Sequence, residues 1–197
     1  MSKFLKGYSI DKFKSKKPPS NSSFDTAQEI KHLAKIPMNK KFVVEKDNVP
    51  KVFKTTAESA GVEYPGKDVK QLIKESEPFI MKLKNHFDRP RPKVIAKKMN
   101  IKLDDIELKT MKTPSYPSGH SIQGYLIGSY LADKNPKAKS AFMKAAKDIS
   151  YSRNVAHAHY KSDSKLGDEI GKDMFKFIKQ NGNIQRNTSK KEEETRR

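Results

Sequence analysis

Residues 118–132 read SGHSIQGYLIGSYLA. The segment is apolar on nearly all sides, yet it falls short of the roughly 18 apolar residues that a membrane span needs. A helix of this kind must be wrapped by other helices, and Gly124 and Gly128 let such neighbours approach closely. No long run in the chain alternates apolar and polar residues as a half-buried strand would. The expected fold class is therefore all-α, a compact helical bundle of about six helices.

The flanking segments supply the partners. Over residues 24–36, Phe24, Ala27, Ile30, Leu33 and Ala34 recur at helical spacing, with Ser22 or Ser23 as N-cap. Asn48 and Pro50 open a second helix that ends at Gly61. A third covers residues 68–87, and Pro78 should kink or split it. Residues 88–116, rich in Pro, Lys and Asp, read as a loop that is long for a compact domain; long ordered loops often carry function. Asn135 and Pro136 cap the next helix, which runs to about Tyr160, and a last one starts near Ser162 or Asp163 and stops at Gly182. Around this helical domain, residues 23–183, the sequence suggests two flexible tails. One is basic, residues 1–22, and carries Phe4, Leu5, Tyr8, Ile10 and Phe13; the other is charged, residues 184–197.

Composition narrows the chemistry. The 197 residues include no cysteine, so disulfides, thiolate metal sites and a cysteine nucleophile are all excluded. Lys and Arg total 42 against 23 Asp and Glu, a formal net charge of +19. Such a field favours anionic partners, whether phosphorylated metabolites, nucleic acid or an acidic membrane surface, without choosing among them. Residues 1–17, MSKFLKGYSIDKFKSKK, have no apolar core of a secretory signal, so the expected compartment is cytoplasmic.

Three short clusters hold four of the five histidines: KNHFDRPRP at 84–92, YPSGHS at 116–121 and SRNVAHAHYKSD at 152–163. Phosphoryl transfer needs cations and amides around the phosphate oxygens, a nucleophile in line and an acid for the leaving oxygen. Lys84, Arg89, Arg91 and Arg153 are of the first type. Ser118, Gly119 and His120 open the apolar helix, offering a hydroxyl and free backbone N–H groups. His159 stands four residues before Asp163, a spacing at which the carboxylate can fix the imidazole tautomer and raise the basicity of the other nitrogen. His120 is then the titratable group left for general acid work.

These blocks resemble the signature of the type 2 phosphatidic acid phosphatase and vanadium haloperoxidase superfamily: K-x6-RP, then PSGH, then SR-x5-H-x3-D. The matching pieces are Lys84 with Arg91-Pro92, then Pro117-Ser118-Gly119-His120, then Ser152-Arg153 with His159 and Asp163. A four-residue match such as PSGH arises by chance in roughly one chain per thousand of this length at flat composition, and two further blocks follow the right order. The first block also fits the frame Lys82 with Arg89-Pro90, but KNHFDRPRP is closer to the form found in bacterial class A non-specific acid phosphatases.

The resemblance implies that His159 attacks phosphorus, that Asp163 orients it and that His120 protonates the leaving alkoxide. It further implies that Lys84, Arg91, Ser118, Gly119 and Arg153 hold the equatorial oxygens, with no metal and no cofactor because the cations suffice. The implied substrate is a small anionic phosphate ester, without membrane insertion, and related acid phosphatases commonly form homo-oligomers. Exported relatives carry signal sequences and lipid phosphatases of the superfamily carry membrane helices; the sequence shows neither.

Two alternatives come from other classes. A vanadate-dependent haloperoxidase uses the same cradle, though such enzymes are typically much longer. A nucleic-acid-binding protein would rest on the charge alone, since no binding motif accompanies it. Among the remaining residues, His157 reads as structural. His86 either supports the phosphate ligands or stacks within the loop, and Tyr116 either lines an entrance or packs.

Overall fold

A computed structural model describes residues 3–195, with side chains described up to Gly182. Among the described residues there is no strand. The described residues form eight α-helices: α1 (Phe24–Ala34), α2 (Lys40–Asp47), α3 (Val49–Ser59), α4 (Gly66–Phe87), α5 (Pro92–Lys98), α6 (Gly119–Lys134), α7 (Lys139–Val155) and α8 (Lys161–Thr195). Side chains of the expected tail at 184–197 lie outside those described. α8 continues past Gly182, since one glycine costs a helix only about 1 kcal/mol relative to alanine.

Helix starts follow the local chemistry. Ser23, Asn39, Asn48 and Ser118 are N-caps, each accepting a hydrogen bond from the backbone N–H three residues on. The apolar helix α6 is the axis of the bundle: Ile122, Leu126, Ile127 and Leu131 are fully buried. α7 and α8 flank it closely enough to require glycine. A Cβ on Gly128 would lie 2.9 Å from Ala146 Cβ on α7, and one on Gly171 of α8 would lie 2.4 Å from the Ile122 carbonyl oxygen. The first contact follows from the glycines of α6; the matching glycines of α8 were not singled out in the sequence.

The count exceeds six because α2 and α5 occupy stretches read as connections. α5 begins at Pro92, whose fixed φ suits the first helical position, and buries Ile95 and Ala96 against Ile30, Leu33 and Tyr160. Pro78 does not split α4, because Val69 and Leu72 before it and Ile80 and Leu83 after it all join one core. That burial outweighs the few kcal/mol cost of an internal proline.

The N-terminal segment corrects the expectation of a flexible tail. Leu5, Tyr8, Ile10 and Phe13 are buried in the main core, and the backbone N–H groups of Lys3, Phe4 and Leu5 all donate to the Glu75 carboxylate. The apolar residues, not the surrounding lysines, decide where this segment lies.

The connection from α5 to α6 returns over the end of α7. Ile106, Leu108 and Met111 pack on Val43, Val155, Ala156 and Ala158. His157, with φ +53°, faces the carbonyl oxygens of Asp104 at 2.7 Å and Ile36 at 3.0 Å, the structural place read from the sequence. His86 stacks edge-on against Phe87 and faces the Lys14 carbonyl. Tyr116 packs on Phe87 and donates to the Lys16 carbonyl.

Candidate active site

Four segments converge at one end of α6: the C-terminal end of α4 with the turn after it, the first turn of α6, the C-terminal end of α7, and the start of α8. The three sequence clusters occupy these positions, so the blocks meet in space. Ser118 N–H donates to the Asp163 carbonyl oxygen at 3.1 Å, joining the second block to the third. A Cβ built on Gly119 would lie 4.0 Å from Cε of Lys84, joining the second to the first.

His159 is at the centre and almost fully enclosed. Its Nδ1 is 3.1 Å from Asp163 Oδ2, and its Nε2 is 2.9 Å from Nη1 of Arg91. Burial, then the positive charges of Arg91 and Lys84, push its pKa down to about 3 against the pull of Asp163, so the ring is neutral. Asp163, wholly buried, is saturated with donors. Arg89 Nη1 donates at 2.7 Å to one oxygen; the Tyr160 N–H at 3.1 Å, His159 and the Ser115 hydroxyl share the other. Burial alone would raise this carboxyl, but His159, Arg89 and Ser115 outweigh it and hold it below the usual carboxylate range.

Lys84 is buried and donates to the Pro114 carbonyl. Desolvation and the neighbouring Arg91 lower its pKa to about 7, partly offset by Asp163. Arg91 is fixed by the carbonyl oxygens of Thr113 and Ala158, both at 2.9 Å. Burial and the charge of Arg153 lower its pKa to about 10, again opposed by Asp163. Arg153, also buried, donates to Asp47 Oδ1 at 2.7 Å and to the Val43 carbonyl. The same Asp47 faces His120 Nε2, through Oδ1 at 3.3 Å and through its backbone carbonyl at 2.9 Å. The bond to His120, helped by Arg153, lowers the Asp47 carboxyl to about 2 despite partial burial.

Of the two frames for the first block, Lys84 and Arg91 are the pair that faces His159. Lys82 is exposed and paired with Asp11 at 3.2 Å. Arg89 is buried on the far side of Asp163, tied to Glu29 Oε2 at 3.0 Å and stacked on the Tyr160 ring 3.6 Å from its centroid. Ser118 is wholly buried as the N-cap of α6, its oxygen accepting from Ser121 N–H at 3.3 Å.

Four residues of this assembly were missed by sequence reasoning: Asp47, Ser115, Glu29 and Ser162, which places its N–H and hydroxyl on Glu29. Ser115 stands two residues before the PSGH block and Ser162 inside the third cluster, so proximity was a usable signal for both. Asp47 and Glu29 sit in ordinary charged helices, and nothing in their spacing marks them.

The arrangement is all-helical, with a buried carboxylate–imidazole pair facing the buried Lys84 and the half-buried Arg91, and Arg153 acting on Arg91. No family model matches the chain. Among solved structures it resembles a transmembrane PAP2-type phosphatidylglycerolphosphate phosphatase from Bacillus subtilis, with TM-score 0.54 and 15% identity over 81% of this chain and 85% of that one; this is a likeness of fold. In sequence it is related to the non-specific acid phosphatases of Salmonella typhimurium, 28% identical over 111 residues, and Salmonella typhi, 27% identical over the same length. Each match takes in 56% of this chain and 44% of the relative, so the chain matches less than half the length of these curated proteins. The likeness to acid phosphatases expected from the three blocks is thus met in sequence, and the all-helical fold is shared with the PAP2-type structure. Among the described residues no helix is long and apolar enough to cross a membrane.

Proposed function

We propose that the chain is a phosphomonoester hydrolase of the acid phosphatase type, working on small anionic phosphate esters through a phosphohistidine at His159. The observation that carries this reading is the placing of Lys84 and Arg91 beside a neutral, buried imidazole, with Arg153 acting on Arg91. Arg91 lowers the proton affinity of Lys84 and Arg153 lowers that of Arg91, while Asp163 and Asp47, already shared with Arg89 and His120, leave negative charge still to be supplied. A phosphate dianion supplies that charge.

In this reading the phosphoryl group displaces Arg91 from His159 Nε2, and the guanidinium turns to the phosphate oxygens beside Lys84 and Arg153. The Nε2 lone pair attacks phosphorus as the bond to the ester oxygen breaks. His120, oriented by Asp47, gives its proton to the leaving alkoxide. The imidazole carries positive charge in the intermediate, and Asp163 stabilises it through Nδ1–H. His120, now neutral, takes a proton from water as its oxygen attacks the phosphohistidine. Inorganic phosphate leaves and His159 returns to its neutral form. The cations and the amides of the first turn of α6 carry the developing charge, so no step requires a metal ion.

The test is hydrolysis of p-nitrophenyl phosphate in the presence of a chelator. Nitrophenol release by the wild-type protein, abolished in His159→Ala, is the expected result. Activity that needs an added divalent ion, or that survives in His159→Ala, contradicts the scheme.

A further inference from the structure

His157 follows α7 in a backbone conformation that suits another residue. Its φ is +53°. It closes the helix in a turn where the Ala158 N–H donates to the Arg153 carbonyl at 3.0 Å and its own N–H donates to the Asn154 carbonyl at 2.9 Å. Glycine is the usual residue at this left-handed position, because a Cβ is strained there. The ring must therefore make contacts that offset the strain. It is 4% exposed. Its Nδ1 is 2.7 Å from the Asp104 carbonyl oxygen, and its Nε2 is 3.0 Å from that of Ile36.

Both partners can only accept, and a neutral imidazole has one N–H. In the neutral ring one of the two contacts sets lone pair against lone pair, away from water. The imidazolium makes both bonds. It also carries its charge just past the C-terminal end of α7, where the helix dipole favours a cation. The two carbonyls belong to separate segments: Ile36 lies between α1 and α2, and Asp104 between α5 and α6. From Asp104 the second connection runs on to the site. The Ile106 N–H donates to the Ala156 carbonyl at 3.0 Å. The Thr110 and Thr113 carbonyls then accept from Arg91 Nη2 and Nε, and the Pro114 carbonyl accepts from Lys84.

We propose that His157 is a positioning residue, a clamp that in its doubly protonated form holds the connection from α5 to α6, and through it Arg91, in place. Docking of the connection and charging of the ring favour each other. The clamp thus holds in mild acid and loosens as the ring gives up its second proton. When Arg91 Nη1 leaves His159 for phosphate, the docked carbonyls keep Nε and Nη2 aligned. That consequence rests on the reading of Arg91 as a phosphate ligand; the clamp itself rests on the ring's own contacts. The charged groups around the ring are few. Lys102 and Asp104, both exposed, line the hollow beside it, and the segment between α1 and α2 presents Ile36, Pro37 and Met38. Asp105 is paired with Lys93 at 2.6 Å, and Arg153, a turn earlier on α7, with Asp47 at 2.7 Å. His159, two residues on, is neutral.

The test follows the ring and the connection together. Nitrogen NMR of isotope-labelled wild type from about pH 5 to about pH 8 reads both ring nitrogens of His157. Amide exchange at Ile106, corrected for its intrinsic pH dependence, reads the docking. At the acid end both nitrogens should carry protons, and Ile106 should be about tenfold more protected than at the alkaline end. His157→Gln, whose one amide nitrogen replaces at most one of the two bonds, should lack this dependence. The ratio of wild-type to variant kcat/KM on p-nitrophenyl phosphate should be about tenfold at the acid end and approach one as pH rises. The chemistry of His120 is common to both proteins and cancels in that ratio. A ring nitrogen that stays without a proton throughout, or Ile106 protection that does not follow the ring, overturns the clamp. A ratio that does not vary with pH overturns the link to Arg91. Absence of turnover in both proteins overturns the phosphatase reading, while the NMR still decides the clamp.

Discussion

Arg91 Nη1 stands 2.9 Å from Nε2 of His159. A guanidinium can only donate, so Nε2 must be the accepting nitrogen and the ring proton must sit on Nδ1, facing Asp163. One contact thus fixes the tautomer in which the lone pair of His159 points toward the cations. The nitrogen that a nucleophilic role requires is the one this contact keeps unprotonated.

The two lysines of the first block should separate sharply. Lys84→Ala removes a buried cation beside Gly119 and Arg91 and should lower kcat/KM by about a hundredfold or more, the scale of losing one preorganised donor to developing charge. Lys82→Ala loses only an exposed pair with Asp11 and should stay within about twofold of wild type, since such pairs contribute little. Steady-state kinetics on p-nitrophenyl phosphate decides. A larger loss at Lys82 would restore the other frame.

Arg89 and Glu29 act through Asp163 and should not touch substrate. Arg89→Lys keeps a charge but loses the fork that reaches both Asp163 and Glu29. Its kcat should fall about tenfold to a hundredfold while KM changes little, the signature of a misaligned nucleophile. Arg89→Ala leaves the buried Asp163 carboxylate without its guanidinium counter-ion and should cost about 3–5 kcal/mol of stability. A rise in KM alone would point to direct phosphate binding by Arg89.

The burial of His159 makes stability acid-sensitive in a defined sense. Its pKa is about 3 in the folded chain and about 6.5 when unfolded, so between these values the unfolded state binds more protons. The contribution of His159 is present above pH 6.5 and is lost as pH falls toward 3. Asp168, raised by burial to about 6, acts in the opposite sense over an overlapping range. His159→Gln removes the first effect and keeps the second. Relative to the variant, wild type should lose denaturation midpoint as pH falls from 6.5, and parallel curves would contradict the buried neutral imidazole.

Packing at the α6–α8 contact gives a prediction independent of chemistry. A methyl group on Gly171 would lie 2.4 Å from the Ile122 carbonyl oxygen and 2.9 Å from the Leu126 nitrogen, both backbone atoms that cannot swing away. Gly171→Ala should destabilise the chain by about 1–3 kcal/mol, as overpacking does, visible in the thermal midpoint. Gly182→Ala meets nothing within 4 Å and should be neutral or slightly stabilising.

Much of this architecture is legible in the residues themselves. The all-round apolarity of α6 marks it as the axis, and Asn48 with Pro50 marks the start of α3. The relative order of Lys84, Arg91, His120, Arg153, His159 and Asp163 is written as three local patterns, each of which survives folding as one turn or helix end. What escapes is non-local. α5 hides in a basic, proline-rich stretch because Ile95 and Ala96 find their partners more than sixty residues away, on Ile30 and Tyr160. Asp47 and Glu29 gain their places only when helices from the first quarter of the chain dock against the last. The N-terminal segment misleads for a related reason: its many lysines advertise solvation, while four spaced apolar side chains hold it to the core.

Covalent trapping tests the assignment of His159 most directly. Wild-type protein turning over p-nitrophenyl phosphate is quenched with alkali, which preserves phosphohistidine, and its peptides are read by mass spectrometry. A phosphoryl group on the peptide carrying His159, retained longer in His120→Ala and absent from His159→Ala, is the predicted result. Active turnover with no label, or with the label on another residue, would contradict it.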